Sequence, residues 1–388
     1  MIDRGEGHEF ILAMNGSHAD GAWELLNELV SGRIPSENVH LWPSLAVSRH
    51  WRHRQTTNDG LRFLDWFTRE TKTFRQRCIT GLKPDIVHVM SQFETIDATP
   101  AANDDPFPFV ITHYDLIPFA YPESYLPDEL TRRWFYKRLN VLKRAEFLLT
   151  ISEYSRREII KYLDLEPERV INVSAAADPQ FVPLFLSDAQ RIDLLARHGI
   201  FGEFVMYTGG FDSRKNLPAL VRAYAKLSAN IRNDLKLVCV GFIDSHQTEF
   251  LQALARKSGL RVDELRFIGY VSDNDLVGLY NTCKLLVLPS LSEGFGLPVL
   301  EAMACGAPVI ASNTTSLPEV VGNKNALFNP LDEASITRKL TQTLTDDAFR
   351  ARLTRQGLEH CKRFSWSESA RRALEAFEFW YDYRTATN

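Results

Sequence analysis

Two glutamates and two cations, set in glycine-bearing turns, carry most of the chemistry this sequence offers. Residues Leu285 to Ser312 read LLVLPSLSEGFGLPVLEAMACGAPVIAS. Pro298 suits the first turn of a helix, Gly306 the position just past its end, and Pro308 the approach to the next apolar run. The segment therefore reads as strand, loop, helix, strand. In that frame Glu293 occupies a loop at the carboxyl end of a strand and Glu301 lies about one turn into the helix, both facing the usual ligand crevice of an open parallel sheet. Gly294 and Gly296 let a ligand approach the backbone, and the helix start near Pro298 favours an anion. Spacing alone would describe two solvated acids equally well; the strand-loop-helix context favours a site.

A second segment, Phe204 to Tyr224, reads FVMYTGGFDSRKNLPALVRAY. An apolar strand runs into Gly209 and Gly210, then a polar turn with Arg214 and Lys215, then an amphipathic helix. Arg grips oxygens bidentately and Lys adds a point charge, so the pair suits a diphosphate. Neither a P-loop nor a dinucleotide G-x-G-x-x-G is present. In the first half, Phe109 to Tyr125 (FVITHYDLIPFAYPESY) places His113 at the carboxyl end of a buried strand, close to Asp115. Asp273-Asn-Asp275 has the look of a metal-binding Asp-x-Asp, but Ser272 before it and an apolar helix after it make a helix start the better explanation. No metal site is expected.

The elements that must position these residues alternate regularly. Strand-like runs at Phe10 to Met14, Ile86 to Met90, Phe109 to Thr112, Phe147 to Ile151 and Val170 to Val173 are separated by helical-period stretches. A second set falls at Phe204 to Thr208, Leu235 to Val240, Leu265 to Ile268, Leu285 to Leu288 and Pro308 to Ser312. This is the rhythm of βαβ units around parallel sheets. The paired prolines Pro179 and Pro183 suit a linker. The expected domains are residues 1–183 and 184–365, with an aromatic helix from 366 to 388 packing at their junction.

The 388 residues accommodate two cores, and 45 Lys and Arg against 49 Asp and Glu give a net charge of −4. That balance excludes a broadly basic nucleic-acid binder. Five scattered cysteines without a C-x-x-C pair exclude a disulfide framework and suit a reducing, cytoplasmic setting. No signal-peptide pattern and no apolar run of membrane-spanning length is visible. The run Thr131 to Arg144, TRRWFYKRLNVLKR, carries six cations and no acid. As a helix it would bury Phe135, Leu139 and Leu142 and leave the cations solvated, or turn them to an anionic membrane surface. Arg49 to Arg54 forms a second basic-aromatic patch with the same two readings.

Glu293-Gly-Phe-Gly-Leu-Pro298 to Glu301-Ala-Met-Ala-Cys-Gly306, with Pro308-Val-Ile310 and Leu317-Pro-Glu-Val-Val-Gly322, resembles the donor-site signature of family 4 retaining glycosyltransferases of the GT-B fold. The Gly209 to Asn216 turn and Ile151-Ser-Glu-Tyr-Ser155 are similar to segments of the same family. The resemblance implies two Rossmann-like α/β domains facing across a cleft, a nucleotide-sugar in the second and the acceptor against the first. It implies that Arg214 and Lys215, after Gly210, bind the diphosphate and that Glu301 receives the ribose hydroxyls. Glu293 would meet the sugar, Tyr270 and Val271 would border the base, and Gly294, Phe295, Gly296 and Leu297 would lend backbone contacts. His113 would approach the transferred sugar, and no metal or other cofactor is required.

Tyr114 to Tyr125 resembles mannosyltransferases of bacterial surface polysaccharide assembly, which makes GDP-mannose the expected donor and a glycan or lipid-linked glycan the expected acceptor. A nucleotide-sugar epimerase or hydrolase, or a noncatalytic nucleotide- or glycan-binding subunit, is the alternative. The motive for the alternative is the start of the chain. Met1 to Phe10 resembles the end of the family's first helix, so its first strand and glycine-rich loop are expected to be absent.

Overall fold

A computed structural model describes residues 1, 5, 7–15, 34–42, 58–93, 102 and 104–387. Its strands run parallel throughout, in three sheets. β1 (Leu12–Asn15) pairs with β2 (Val39–Trp42) alone. A four-stranded sheet follows in the order β3 (Val87–Val89), β4 (Phe109–His113), β5 (Leu148–Thr150) and β6 (Val170–Asn172). Residues 173–187 contain neither helix nor strand. The basic patch at 49–54 lies outside the described residues.

The second half supplies β7 (Glu203–Thr208), β8 (Leu235–Val240), β9 (Leu265–Gly269), β10 (Leu285–Leu288), β11 (Val309–Ser312) and β12 (Leu327–Phe328). Their spatial order is β12-β11-β10-β7-β8-β9. Successive strands build outward from β7 in one direction until β9; the chain then returns to place β10 on the other side of β7. The order reverses at that seam, and there the loops leaving two carboxyl ends splay apart into a crevice. β10 registers against β7 through Leu285 with Val205 and Leu286 with Met206, so the loop after residue 208 and the loop after residue 288 emerge side by side.

The strands at this seam are buried on both faces and read as unbroken apolar runs, as a parallel sheet between helices requires. Glycine shapes their ends. Gly241, just past β8, has φ +135°, and a Cβ there would overlap the carbonyl oxygen of Gly209 at the end of β7. Gly259 has φ +86° with open space around it, so it isolates the backbone penalty from the clash. Gly241→Ala is expected to cost about 3 kcal/mol or more and Gly259→Ala about 1 kcal/mol, a ranking that denaturant midpoints will check.

The last helix, Trp366–Thr387, returns to the first half of the chain. Ala373, Phe377 and Trp380 pack on the face of the four-stranded sheet formed by Val110, Phe147, Leu149 and Val173. Trp380 Nε1 donates to Glu146 Oε2 at 3.0 Å. Of the aromatic residues that make this helix conspicuous in sequence, Phe377 and Trp380 cover the N-terminal sheet, whereas Phe379, Tyr381 and Tyr383 stay exposed. Among the described residues no helix is long and apolar enough to cross a membrane.

Candidate active site

The turn after β7 forms a short 3-10 turn, Ser213–Lys215, closed by Asn216 in the left-handed conformation before the helix Leu217–Ala225 begins. Asn216 Nδ2 donates to the carbonyls of Pro289 (3.2 Å) and Pro330 (2.9 Å), and Leu291 N donates to Arg214 O at 2.7 Å. These bonds pin the cationic turn to the loop after β10. Across the seam, Arg214 Nη1 reaches Glu293 Oε2 at 2.9 Å and Ser292 O at 2.8 Å, and Lys215 Nζ reaches Glu293 Oε1 at 2.7 Å. Residues 78 and 79 positions apart become one buried cluster, with Asp212 Oδ1 at its edge 3.3 Å from Arg214 Nε.

Electrostatics hold the cluster charged. Burial alone would push the Glu293 carboxyl up, but Lys215 and Arg214 outweigh it and hold it below the usual carboxylate range. Burial likewise works against the Arg214 guanidinium, and Glu293 and Tyr125 more than offset it, leaving its pKa raised. With Asp212 beside Arg214, two carboxylates balance the two cations, and a diphosphate can bind them by displacing Glu293.

The other expected residues fall around this cluster at different distances. Glu301 sits on the helix Leu297–Ala304, where Tyr280 donates to its Oε2 at 2.9 Å. Burial, chiefly, raises its carboxyl above the usual range. Gly296, at φ +115°, caps that helix where a Cβ would press on Leu317, and Phe295 is buried edge-on against Phe364. Leu297 is exposed at the helix start. Gly210 presents its carbonyl to the Tyr207 hydroxyl. Tyr270 stands exposed beyond β9, while its neighbour Val271 is buried in the core. β9 is two strands removed from β7, so Tyr270 does not join the charged cluster. Phe242, exposed past the end of β8, stands on the same flank and was not singled out by the sequence. The only local signal was the glycine before it.

The N-terminal domain meets this loop directly. Ser152 caps the helix Glu153–Leu163, accepting from Ser155 N at 3.0 Å, as its type and place suggest. Both hydroxyls also reach across: Ser152 Oγ donates to Gly294 O at 2.7 Å and Ser155 Oγ lies 3.2 Å from it. Glu319, from the opposite domain, accepts from the backbone N–H of Glu153 (3.0 Å) and Tyr154 (3.2 Å). A carboxylate satisfying two otherwise unbonded donors at a helix N-terminus makes a charge-assisted latch between domains. Arg214 Nε adds a further bridge to the Tyr125 hydroxyl at 2.8 Å. Glu319→Ala is expected to remove on the order of 2–3 kcal/mol of interdomain contact, read as an increased radius of gyration in small-angle scattering.

His113 ends β4 only 1% exposed, its ring edge-on to Phe93 at 6.4 Å, with neither ring nitrogen hydrogen-bonded. Burial pushes its pKa down to about 3, so the imidazole is neutral at physiological pH. Asp115 follows at the domain interface, where a Cβ on Gly294 would lie 2.6 Å from its Oδ2. Asp273 and Asp275 open the helix Asp273–Thr282 behind the Ser272 cap, and Asp275 pairs with Arg197 (2.9 Å) and His198 (3.0 Å).

Residues 10–181 match the family model described as Glycosyltransferase Family 4, and residues 198–360 match that described as Glycosyl transferases group 1. The chain is 38% identical over 382 residues to the serotype-specific mannosyltransferase WbdA of Escherichia coli, covering 97% of this chain and 46% of that protein. It thus spans about half the length of that relative. It is 35% identical over 271 residues to the O-antigen chain mannosyltransferase B of Escherichia coli, covering 69% of this chain and 70% of that protein. A glycosyltransferase from Rickettsia africae superposes with a TM-score of 0.70 at 15% identity, covering 96% of this chain and 99% of its own. Two facing parallel α/β domains, the cationic seam between β7 and β10 and these similarities together establish that the chain belongs to the family 4 glycosyltransferases of the GT-B fold.

Proposed function

We propose that this chain is a metal-independent, retaining hexosyltransferase that moves mannose from GDP-mannose to a glycan or lipid-linked glycan of a surface polysaccharide. The observation that carries the reading is the buried Arg214–Lys215–Glu293 cluster at the strand-order reversal. An entering diphosphate exchanges one carboxylate for several phosphoryl oxygens on the same two cations. Glu293, released from them, turns its oxygens to the hydroxyls of the sugar that the diphosphate carries. Arg214 and Lys215 then stabilise the negative charge that develops on the departing diphosphate, the task a metal performs in other transferases.

Retention follows by attack on the leaving-group side. Glu293 is engaged by both cations and Asp212 by Arg214, which leaves neither free as the nucleophile of a double displacement. The acceptor hydroxyl forms its bond to the anomeric carbon as the bond to phosphate breaks, and the diphosphate takes the hydroxyl proton. Neutral His113 at the opposite wall is suited to orient a sugar hydroxyl. Trapping of a glycosyl adduct on Glu293 would contradict this route.

Glu301 supplies the ribose contact, with Tyr280 fixing one oxygen and leaving the other to accept. Its carboxyl is raised, so it protonates on acidification before an ordinary glutamate does, and donor affinity falls with it. A pH series of donor KM is expected to show this rise toward acid pH in the wild type and to flatten in Glu301→Gln. The reading as a whole is tested by incubating the full chain with GDP-mannose, UDP-glucose or UDP-galactose and a mannoside acceptor in EDTA. Transfer of mannose with the α configuration of the donor supports it. Hydrolysis without transfer, or loss of activity restored only by metal, goes against it.

A further inference from the structure

The helix Glu129–Leu142 does not turn all its cations outward. Arg132, Arg133 and Lys137 are exposed, whereas Arg138 is only 6% exposed. Its position accounts for this: Trp134 lies four residues before it and Phe135 three, so Arg138 shares the face that Leu139 and Leu142 bury in the core. The guanidinium lies over the Trp134 ring at 5.7 Å. Among the described residues no carboxylate pairs with it, and its Nη1 is buried without a hydrogen-bond partner.

The neighbouring charge makes the arrangement less favourable still. Arg75 is the charged group that acts on Arg138, and it is a second buried cation, held by the fully buried Asp105 at 2.5 and 2.6 Å. Asp105 is engaged by Arg75, so among the described residues it does not answer the charge on Arg138. Burial, with the repulsion from Arg75, pushes Arg138 down to about 10, so it remains charged at neutral pH. Trp134 Nε1 is also buried without a partner. Phe93 ties the group to the reacting wall, its ring 6.4 Å from both Trp134 and His113. Buried unpaired donors and charges are strongly disfavoured, and a bound group that supplies the missing partner is one arrangement that retains them.

The donors define that ligand. A guanidinium and an indole N–H donate and cannot accept, and the local charge is positive. A neutral sugar hydroxyl would satisfy a hydrogen bond but leave the charge, whereas an oxyanion satisfies both. We propose that Arg138 and Trp134, joined to His113 through Phe93, form a binding site for a phosphoryl group on the acceptor-side ligand. The guanidinium takes two oxygens and the indole N–H a third. This rests on the reading that the N-terminal domain receives the acceptor. The exposed Arg132 and Lys137 on the same helix add an attractive field for such a group, whereas Arg133 is paired with Glu129 at 2.8 Å. The phosphoryl group belongs either to a lipid carrier or to a water-soluble phosphate ester.

The test uses the full chain saturated with GDP, so that the donor cations are occupied, and follows melting with inorganic pyrophosphate, farnesyl diphosphate in detergent, or methyl α-mannoside. Pyrophosphate is expected to raise the melting temperature of the wild type and not that of Arg138→Met. Ligand-free Arg138→Met is expected to melt higher than the wild type by about 2 °C or more, because it removes an unpaired buried charge; a merely structural arginine would give the opposite sign. Trp134→Phe keeps the charge and is expected to weaken pyrophosphate binding several-fold.

Protection by farnesyl diphosphate at far lower concentration than by pyrophosphate assigns a lipid-carried diphosphate, and equal potency assigns a soluble phosphate; either supports the site. Equal pyrophosphate protection of wild type and Arg138→Met, a lower melting temperature for that variant, or protection by the mannoside alone overturns it. GDP protection in the absence of pyrophosphate reports separately on the donor site. A failed donor reading and a failed phosphoryl site are therefore distinguished in one series.

Discussion

Replacement of Lys215 by methionine is expected to lower kcat by about 10²–10³-fold, the range seen when one donor to a developing oxyanion is lost. Lys215 Nζ lies 2.7 Å from Glu293 Oε1 in a site closed to solvent, so the substitution removes a positive charge whose effect water does not screen. It also leaves Glu293 with Arg214 as its sole cation. In the wild type the Glu293 carboxyl is held below its ordinary value. Its contribution to stability is therefore present above the unfolded carboxylate pKa and is lost as pH falls through the lower folded value. In Lys215→Met the folded value moves up and that contribution shrinks. The variant is expected to lose about 1–3 kcal/mol at neutral pH and to begin acid unfolding at a higher pH. Steady-state kinetics and a pH series of melting temperatures separate the two effects.

Gly294→Ala is expected to reduce kcat/KM by more than about 100-fold while leaving each domain folded. The new methyl would stand 2.6 Å from Asp115 Oδ2 and 3.0 Å from Asp115 Cβ, and neither side has room to yield. Asp115 is fixed because its Oδ1 accepts from Ile117 N at 2.9 Å, and Gly294 is fixed through its carbonyl by Ser152. The domains must then part by a few tenths of an ångström or more at the contact between Gly294 and Asp115. Misplacement on that scale is costly for a reaction that depends on orientation. Unchanged melting together with lost activity is the predicted signature; a large fall in melting temperature would show the damage to be to the fold.

The parts of this molecule that were legible in its sequence are those fixed by neighbours along the chain. Leu235–Val240 and Leu285–Leu288 were delimited by their apolar runs, and the helix Leu297–Ala304 by Pro298 and Gly306. β12 escaped because two residues carry no period, and β2 because four residues, one of them His40, make a weak alternation. The charged cluster was legible only as two halves. Nothing local says that Lys215 and Glu293 touch; the reversal of strand order does.

Contacts between domains were the least legible. Ser152 read as a helix cap, and it is one, but its second bond, to Gly294, depends on a surface 142 residues away. Glu319 carried no signal beyond its place in a family-like segment, and yet it caps a helix of the other domain. Arg138 misled for a different reason. Six cations in fourteen positions suggest a solvated face, and residue type outweighed the helical phase that sets Arg138 beside Leu139 on the buried side.

Calorimetric titration of GDP-mannose into the full chain and into Lys215→Met, both in EDTA, addresses the proposed donor site at the seam between β7 and β10 without requiring any acceptor. Saturable one-site binding by the wild type, weakened at least about 100-fold in the variant, is the predicted result. Equal affinity in the two proteins, or binding by the wild type only when a divalent metal is added, would contradict it.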